Sequence, residues 1–454
     1  MVESTRTPAF KPDACTSCGT CFNECPVLQL PIEGAKGEIK KLIDQQDSIV
    51  LANCNTCFSC NTICEQGANP YQLILENWNR LYKTRRAPPL YKFVCPTEEP
   101  NIWQLLNLFL SPRERQWIDS WMNYEPQPGD TVLLVGNYTH LFPFIIGGSK
   151  LLENFKPIDR IDQWEGGAYL YQGGYLDVVK RIAEKTKRDF DGWKVKKVVA
   201  FLDAVHYIFT EVHPKEMGVK HDQEFQKFNK WLLDEIESDR VELPNQLEMK
   251  VTVHDNCYSK TQNGVQWDVA RDILEKCGCT IVEMEHSKKD SLCCGFGAGA
   301  SWVNNMAIPF DILSEGLNKF REAKQTGADA LVSYCGGCIY LLWAAKELFN
   351  IDIDVYHLVE LVRMSMGEKL NYPEDNVNRA WDVITIITYQ LMLSLLEKPF
   401  WIRKISYDSK RSTFKPGRAL LLRFMRKLFD LRFLRKIYRK MFYYMIPLMK
   451  KKTI

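Results

Sequence analysis

Cys15-Thr-Ser-Cys18-Gly-Thr-Cys21-Phe-Asn-Glu-Cys25-Pro26 is followed, after a short interval, by a second run with the same spacing, Cys54-Asn-Thr-Cys57-Phe-Ser-Cys60-Asn-Thr-Ile-Cys64. Thiolate is a soft ligand suited to iron–sulfur clusters. Intervals of three, three and four let one turning loop offer three sulfurs to the corners of a cube, while the fourth sulfur reaches elsewhere. The two runs therefore predict two cubane [4Fe–4S] clusters. Structural zinc also uses CxxC knuckles, but it asks for two knuckles separated by a spacer, not three sulfurs in one tight loop with a distant fourth. Glu65 stands where the second run would usually carry proline.

Where two such runs serve two clusters, the last cysteine of each crosses to the other cluster. The expected ligand sets are Cys15, Cys18, Cys21 and Cys64 for one cubane, and Cys54, Cys57, Cys60 and Cys25 for the other. Ile39-Lys-Lys-Leu-Ile43 and the stretch after Asp47 can each start or finish a helix. Residues 1–90 are thus predicted to form an α-helical ferredoxin-like domain rather than a β-ferredoxin.

A chain of 454 residues allows about three domains, and 46% hydrophobic with 25% charged residues is ordinary globular composition. The start Met1-Val-Glu-Ser-Thr5 has neither a basic nor an apolar leader segment. The reading is a reducing cytoplasm, where clustered cysteines are metal ligands before they are disulfides. The net charge of +3 conceals an asymmetry: residues 415–454 carry thirteen Lys and Arg against one acid, Asp430, so the tail is +12 and the body about −9. The tail is a basic appendage on a mildly acidic body.

Five further cysteines fall at Cys257, Cys293-Cys294-Gly295 and Cys335-Gly-Gly-Cys338. Leu247 to Val253 reads as a strand ending at His254-Asp255-Asn256-Cys257, and Ala328 to Ser333 as another ending at Tyr334-Cys335. Asp268 to Lys276 and Ile308 to Ala323 have helical spacing, so the segment alternates β and α and predicts a mostly parallel sheet. Sites in such sheets lie beyond the carboxyl ends of the strands, where these cysteines fall. Five ligands exceed the four that a cubane requires, and adjacent cysteines suit neighbouring irons, so an open, non-cubane cluster is expected. Gly295, Gly297 and Gly299 would let backbone approach it closely.

The pattern Cys257-x35-Cys293-Cys294-Gly295-x39-Cys335-x2-Cys338 resembles the cysteine-rich CCG domain of heterodisulfide reductases. The resemblance covers roughly residues 10 to 365, counting the ferredoxin domain fused ahead of two CCG halves in membrane-type members. It implies that Cys257, Cys293, Cys294, Cys335 and Cys338 bind a non-cubane [4Fe–4S] cluster acting on disulfide or thiol sulfur. Asn256 replaces the proline of the commoner His-Asp-Pro-Cys text. His254 is the candidate proton donor, or else a histidine that only hydrogen-bonds the loop; imidazole ordinarily exchanges a proton near neutral pH. His286, Lys288 and Lys289 either attract an anionic substrate or form a solvated face. Cys95, Cys277 and Cys279 have no partner in either motif and read as buried small hydrophobes.

A first CCG half is discernible without its ligands. Thr131-Val-Leu-Leu-Val-Gly136-Asn137 stands for the first strand and cysteine, Glu165-Gly166-Gly167 for CCG, and Asp203-Ala-Val-His206 for CxxC. These residues cannot hold an iron–sulfur cluster, although Asp203 and His206 could touch an ordinary metal. The expected layout is a degenerate CCG domain over 91–240, a cluster-binding CCG domain over 241–370, and a helical basic amphipathic region over 371–454. With one intact site, the resemblance points to single-site relatives that handle a sulfur-carrier protein or a small thiol or disulfide, reduced in two one-electron steps.

The uncharged stretch Val383–Leu396 is 14 residues, short of the ~20 that a membrane span needs. Beyond it, Leu420, Leu421, Phe424, Met425 and Leu428 share one helical face opposite Arg423, Arg426 and Lys427. Phe433, Leu434, Ile437, Tyr438 and Met441 share another, opposite Arg432, Arg435, Lys436, Arg439 and Lys440, which predicts a break near Asp430. Interleaved apolar residues favour an anionic membrane surface or a partner protein over nucleic acid. The whole reads as a subunit of a membrane-associated electron-transfer complex, peripheral on the cytoplasmic face of the cell membrane. Its partner would be a membrane subunit of quinone or haem b type, or a flavoprotein. The alternative is an electron-transfer adaptor between a flavoprotein dehydrogenase and membrane quinone, similar to the iron–sulfur subunits of anaerobic glycerol-3-phosphate and glycolate dehydrogenases.

Overall fold

The computed structural model describes residues 6–7, 9–159, 165–261, 265–295, 308–405 and 416–449. Gly297, Gly299, Lys415 and residues 450–454 lie outside the described residues. Among those described, no sheet strand precedes Thr131. The amino-terminal region is instead built from the helices Ile32–Ile43, Ile49–Asn53 and Pro70–Arg85 around the two cysteine loops. Ile32–Ile43 buries Ala35, Ile39 and Leu42, one stripe at helical spacing. Buried Glu38 ties this helix to the next by accepting from Ser48 Oγ at 2.8 Å and Ile49 N at 3.0 Å. Pro70 at the first turn needs no N–H partner and starts the longest of the three.

The two cysteine loops share one backbone course. Ser17 and Gly19 have φ of 55° and 80°, and the matching Thr56 and Phe58 have 54° and 63°. These left-handed residues turn each loop so that its sulfurs converge. Phe58 has no glycine freedom, and its conformation costs about 1–2 kcal/mol. Its ring offsets that by stacking on Tyr71, with centroids 3.9 Å apart, and by lying 5.2 Å from Tyr258.

Two four-stranded parallel sheets follow. The first runs β2-β1-β3-β4, from β1 (Thr131–Leu134), β2 (Lys156–Ile158), β3 (Lys197–Ala200) and β4 (Glu224–Lys227). The second runs β6-β5-β7-β8, from β5 (Lys250–His254), β6 (Thr280–Ile281), β7 (Ala330–Ser333) and β8 (Asp354–His357). The strand order is the same in both: second, first, third, fourth. Short, nearly continuous Val and Leu runs are what a parallel sheet covered on both faces demands. Val132, Leu133, Val198, Val251, Val253 and Val332 are all fully buried.

Register aligns the sheets residue by residue: Leu134 pairs with Ala200 where His254 pairs with Ser333. The segment after β3 starts its helix at Asp203 behind Leu202, and the segment after β7 starts at Gly336 behind Cys335. The counterparts of Cys335 and Cys338 are therefore Leu202 and Val205, one residue before the expected Asp203 and His206. Both are buried apolar side chains. Asn137 matches Cys257, and Gly167, with φ of 91°, matches Gly295, with φ of 92°.

Helix Glu374–Ser394 is a core helix, burying Trp381, Val383, Ile384 and Ile386. Helices Pro416–Leu428 and Arg432–Met449 pack outside it, with the break spanning Phe429 to Leu431. Their docking stripe departs from the expected apolar faces. Arg426, Arg435 and Arg439 turn inward with Leu422, Phe429, Tyr438 and Phe442, because acids and rings on the body receive them. Arg426 pairs with buried Asp382 at 2.6 Å, Arg439 pairs with Glu347 at 2.9 Å, and the Arg435 guanidinium lies 4.7 Å from the Trp381 ring centre. Phe442 stacks on Phe310 with centroids 4.9 Å apart.

Candidate metal centre

Cys15, Cys18, Cys21 and Cys64 line a single cleft together with Gly19 and Pro70. Burial and then the neighbouring Cys64, Cys18 and Cys15 push the Cys21 thiol up to about 12. Burial and then Cys57 push Cys25 up to about 11. Cys60 is raised by burial, then by Cys54 and Cys57, and more weakly by Cys21 and Cys25. The first set thus gathers Cys64 from the second run, and the second gathers Cys25 from the first. Backbone N–H groups already point at sulfur: Thr56 N lies 3.3 Å from Cys54 Sγ, and Leu28 N lies 3.4 Å from Cys25 Sγ. All the cysteines are free. The raised thiols among them, Cys21, Cys25 and Cys60, give up their protons to a cation that shares them, and that donor chemistry fits iron.

The third group forms at the carboxyl ends of β5 and β7. Cys257 opens the turn Cys257–Thr261, Cys335 caps the helix Gly336–Phe349, and Cys338 sits in that helix's first turn, its thiol raised by its hydrogen bonds to Cys294 and Cys335 and by burial. The Cys257 thiol is raised by burial, then by Cys335, Cys294 and Cys57. Cys293 is raised by its hydrogen bond to Cys294, and Cys294 is lowered by accepting from Cys293 and Cys338. Gly336 leaves room for two side chains of the cysteine-free half: a Cβ there would lie 2.7 Å from Leu202 Cδ2 and 2.8 Å from Phe142 Cζ, so both would have to shift. His254 is 1% exposed, and neither ring nitrogen has an oxygen or nitrogen partner. It clusters with Cys294 and Cys338, ligand atoms within 4.8 Å of one another.

Asp255, to which the residue pattern assigned no role, organises these loops. Its carboxylate receives both Arg271 terminal nitrogens at 3.0 Å, Tyr334 Oη at 2.9 Å and Lys288 N at 2.7 Å. Its carbonyl accepts from Ser291 Oγ at 2.8 Å. The signal was adjacency, an acid two residues before a candidate ligand. The basic run before Cys293 is largely consumed by ion pairs rather than presented to a substrate. Lys288 Nζ pairs with Asp268 at 3.0 Å and His286 Nδ1 with Glu322; Lys289 alone is exposed. Cys95, Cys277 and Cys279 are buried away from all three groups, as expected of small apolar fillers.

The second cysteine loop touches the third group. Asn55 O lies 4.0 Å from Cys293 Sγ, and Lys260 Nζ donates to Ser59 Oγ at 2.7 Å and to Ser291 O at 2.6 Å. The cysteine-free half covers the opposite side. Gln172 Nε2 lies 3.5 Å from Cys257 Sγ, Tyr258 Oη donates to Ala168 O at 3.1 Å, and Asn256 Nδ2 donates to Asp203 at 2.9 Å. Asp203 is thereby occupied, and among the described residues no metal-capable grouping includes Asp203 or His206.

Residues 7–65 match a 4Fe-4S dicluster domain, and residues 251–342 match the cysteine-rich domain CCG. The dihydromethanophenazine:CoB--CoM heterodisulfide reductase of Methanosarcina acetivorans has a subunit 24% identical over 407 residues, spanning 78% of this chain and 94% of that protein. The probable iron-sulfur-binding oxidoreductase FadF of Bacillus subtilis is 25% identical over 380 residues, spanning 78% of this chain and 48% of its own length. EtfAB:quinone oxidoreductase of Syntrophomonas wolfei is 25% identical over 167 residues, 37% of this chain and 21% of that protein. The chain thus carries a 4Fe-4S dicluster domain and a cysteine-rich CCG domain, and over 78% of its length it is similar to a subunit of heterodisulfide reductase.

Proposed function

We propose that this protein is a heterodisulfide reductase-like subunit that exchanges electrons with a thiol or disulfide at its CCG site. The observation that carries the reading is the contact between Asn55, inside the second cysteine loop, and Cys293. In this reading Cys15, Cys18, Cys21 and Cys64 hold one cubane cluster, Cys54, Cys57, Cys60 and Cys25 hold a second, and Cys257, Cys293, Cys294, Cys335 and Cys338 hold an open one. When bound, these groups supply one-electron relays and a reducing iron beside the substrate sulfur.

Reducing one disulfide to two thiols takes two electrons and two protons. His254 is the buried side chain beside the sulfurs that could hold a proton, on either ring nitrogen. The cysteine-free half supplies a wall, through Gln172 and the Ala168 carbonyl, and excludes water from that side. The divisions 1–90, 91–240 and 241–370 are read as cubane-binding, covering and CCG regions; within 371–454 the core helix Glu374–Ser394 carries the last two helices, which are read as the docking region.

We read the outward face of the last two helices as lying on an anionic cytoplasmic leaflet beside a membrane subunit. Leu420 is 72% exposed, Phe433 61%, Ile437 57% and Leu448 81%, and Arg423, Lys427, Arg432, Lys436 and Lys440 are exposed among them. Each basic residue near such a surface contributes about 1 kcal/mol. No described helix is long and apolar enough to cross a membrane.

The second reading is an electron-transfer adaptor serving a flavoprotein and quinone, and the name of the Syntrophomonas relative favours it. One experiment separates the two. Anaerobically prepared protein should contain about twelve irons per chain and give a thiol-dependent paramagnetic signal on oxidation, which Cys294→Ala abolishes together with disulfide turnover. Full iron content with no such signal, and turnover indifferent to Cys294→Ala, leaves the adaptor. Removing residues 416–454 should release the protein from phosphatidylserine-containing vesicles, and retention would refute the lipid-facing assignment.

A further inference from the structure

Lys260 is 7% exposed, yet its Nζ meets no carboxylate among the described residues. Its partners are Ser59 Oγ at 2.7 Å and Ser291 O at 2.6 Å. A buried ammonium without an anion is expensive, far more so than a buried hydroxyl, and is kept only where a counter-charge is in reach. Two groups of sulfurs are the anions within reach. Ser59 sits between Cys57 and Cys60, and its Oγ lies 3.3 Å from Cys57 Sγ. Ser291 is two residues before Cys293, and Lys260 itself is three residues after Cys257. The cleft that gathers Cys15, Cys18, Cys21 and Cys64 is lined by residues of the first loop, Cys64 and its neighbours, and not by Lys260.

We infer that Lys260 is a positioning residue whose fixed charge raises the reduction potentials of the second cubane and of the CCG centre together, leaving the first cubane untouched. The inference rests on the ligand assignment proposed above. Adding one electron to a thiolate-bound cluster increases its negative charge, so a neighbouring cation stabilises the reduced form more than the oxidised one. Because the ammonium hydrogen-bonds loops of both sites at once, it moves the two potentials in the same direction and leaves the driving force of the step between them little changed. The two serines also clamp the loops, which fixes the spacing that the step requires.

The test is a redox titration followed by electron paramagnetic resonance on the full chain carrying its clusters, with iron counted in the same samples. Lys260→Gln should lower the one-electron equilibrium constant at the second cubane and the CCG centre about tenfold each, ~59 mV, with the first cubane unmoved. Lys260→Arg should restore both. A fully loaded Lys260→Gln protein whose three potentials match the parent overturns the inference, as does a uniform shift of all three. If Lys260→Gln does not load, Ser59→Ala decides, because it frees the ammonium from the second loop alone. A larger drop at the second cubane than at the CCG centre supports the inference, and unchanged potentials overturn it. An iron count well short of about twelve in the parent would instead refute the ligand assignment.

Discussion

Two sheets with one strand order occur in this molecule, and among the described residues only one of them carries cysteines at its carboxyl edge. Asn137, Gly166, Leu202 and Val205 stand where Cys257, Cys294, Cys335 and Cys338 stand in the other. The difference extends beyond the ligands. Beside Cys257 the second sheet buries His254 and the charged network of Asp255, Arg271 and Tyr334; at the matching positions the first sheet has Leu134 and Val135. The half without cysteines continues its first strand in the buried apolar Leu134 and Val135, whereas the half that gathers five cysteines uses the buried Asp255, Arg271 and Tyr334 to orient its loops. The comparison teaches that the duplicated fold is indifferent to the chemistry, which resides in the side chains at its edge.

The largest expected contrast comes from matched truncations at the edge. Cys338→Ala should drop iron from about twelve to about eight per chain and remove disulfide turnover. Val205→Ala, at the equivalent place, should leave iron unchanged and lower unfolding free energy by about 1–3 kcal/mol. Equal iron loss in both would mean that the halves do not differ as described. Next comes the orienting network. Asp255→Ala leaves the Arg271 guanidinium with Glu283 and the Trp267 carbonyl and should destabilise the chain by about 3–5 kcal/mol, against about 1–3 kcal/mol for Val135→Ala. Denaturant unfolding of the four variants under one set of conditions ranks them.

Much of this was legible in the chain. The Val-rich strands before Gly136, Leu202, Cys257 and Cys335 were readable because parallel strands buried on both faces have little choice of residue. The cysteine sets were readable because ligand spacing is discrete. The cysteine-free half was found but placed one residue late at Asp203 and His206, since without sulfur only strand register and the helix start fix the alignment. The tail was readable as two helices with a break at Asp430, but not in its docking. An amphipathic pattern sends every arginine to solvent, and the acids that draw Arg426 and Arg439 inward, Asp382 and Glu347, come from helices distant in sequence. The roles of Asp255 and Lys260 were hidden for the same reason, as their partners Arg271, Tyr334, Ser59 and Ser291 are assembled only by folding.

A smaller effect separates the halves by pH. Glu165 occupies the place of Cys293, and burial pushes its carboxyl up to about 8 against the hydrogen bond from Tyr138 N, whereas an unfolded Glu titrates near about 4.3. Between those values the folded chain holds a proton that the unfolded chain has lost. Stability is therefore full below about pH 4.3 for this group and falls as pH rises toward about 8. Glu165→Gln should flatten that decline, so the variant gains on the parent as pH increases from 5 to 8, measured by unfolding at each pH. A constant difference across the range would mean that Glu165 is ionised throughout.

The smallest effect probes whether the cysteine-free half is only a wall. Gln172 reaches from it to Cys257 Sγ at 3.5 Å, a weak hydrogen bond whose loss should change unfolding free energy by about 1 kcal/mol or less. An N–H donor to a cluster sulfur stabilises the reduced state, so Gln172→Leu should lower the potential of the CCG centre by less than the Lys260→Gln change, since a neutral dipole replaces a full charge in the comparison. Both cubane potentials should hold. A CCG potential that ignores Gln172→Leu would make the two halves chemically independent. A shift there, with stability intact, would show that the half without sulfur tunes the half that has it.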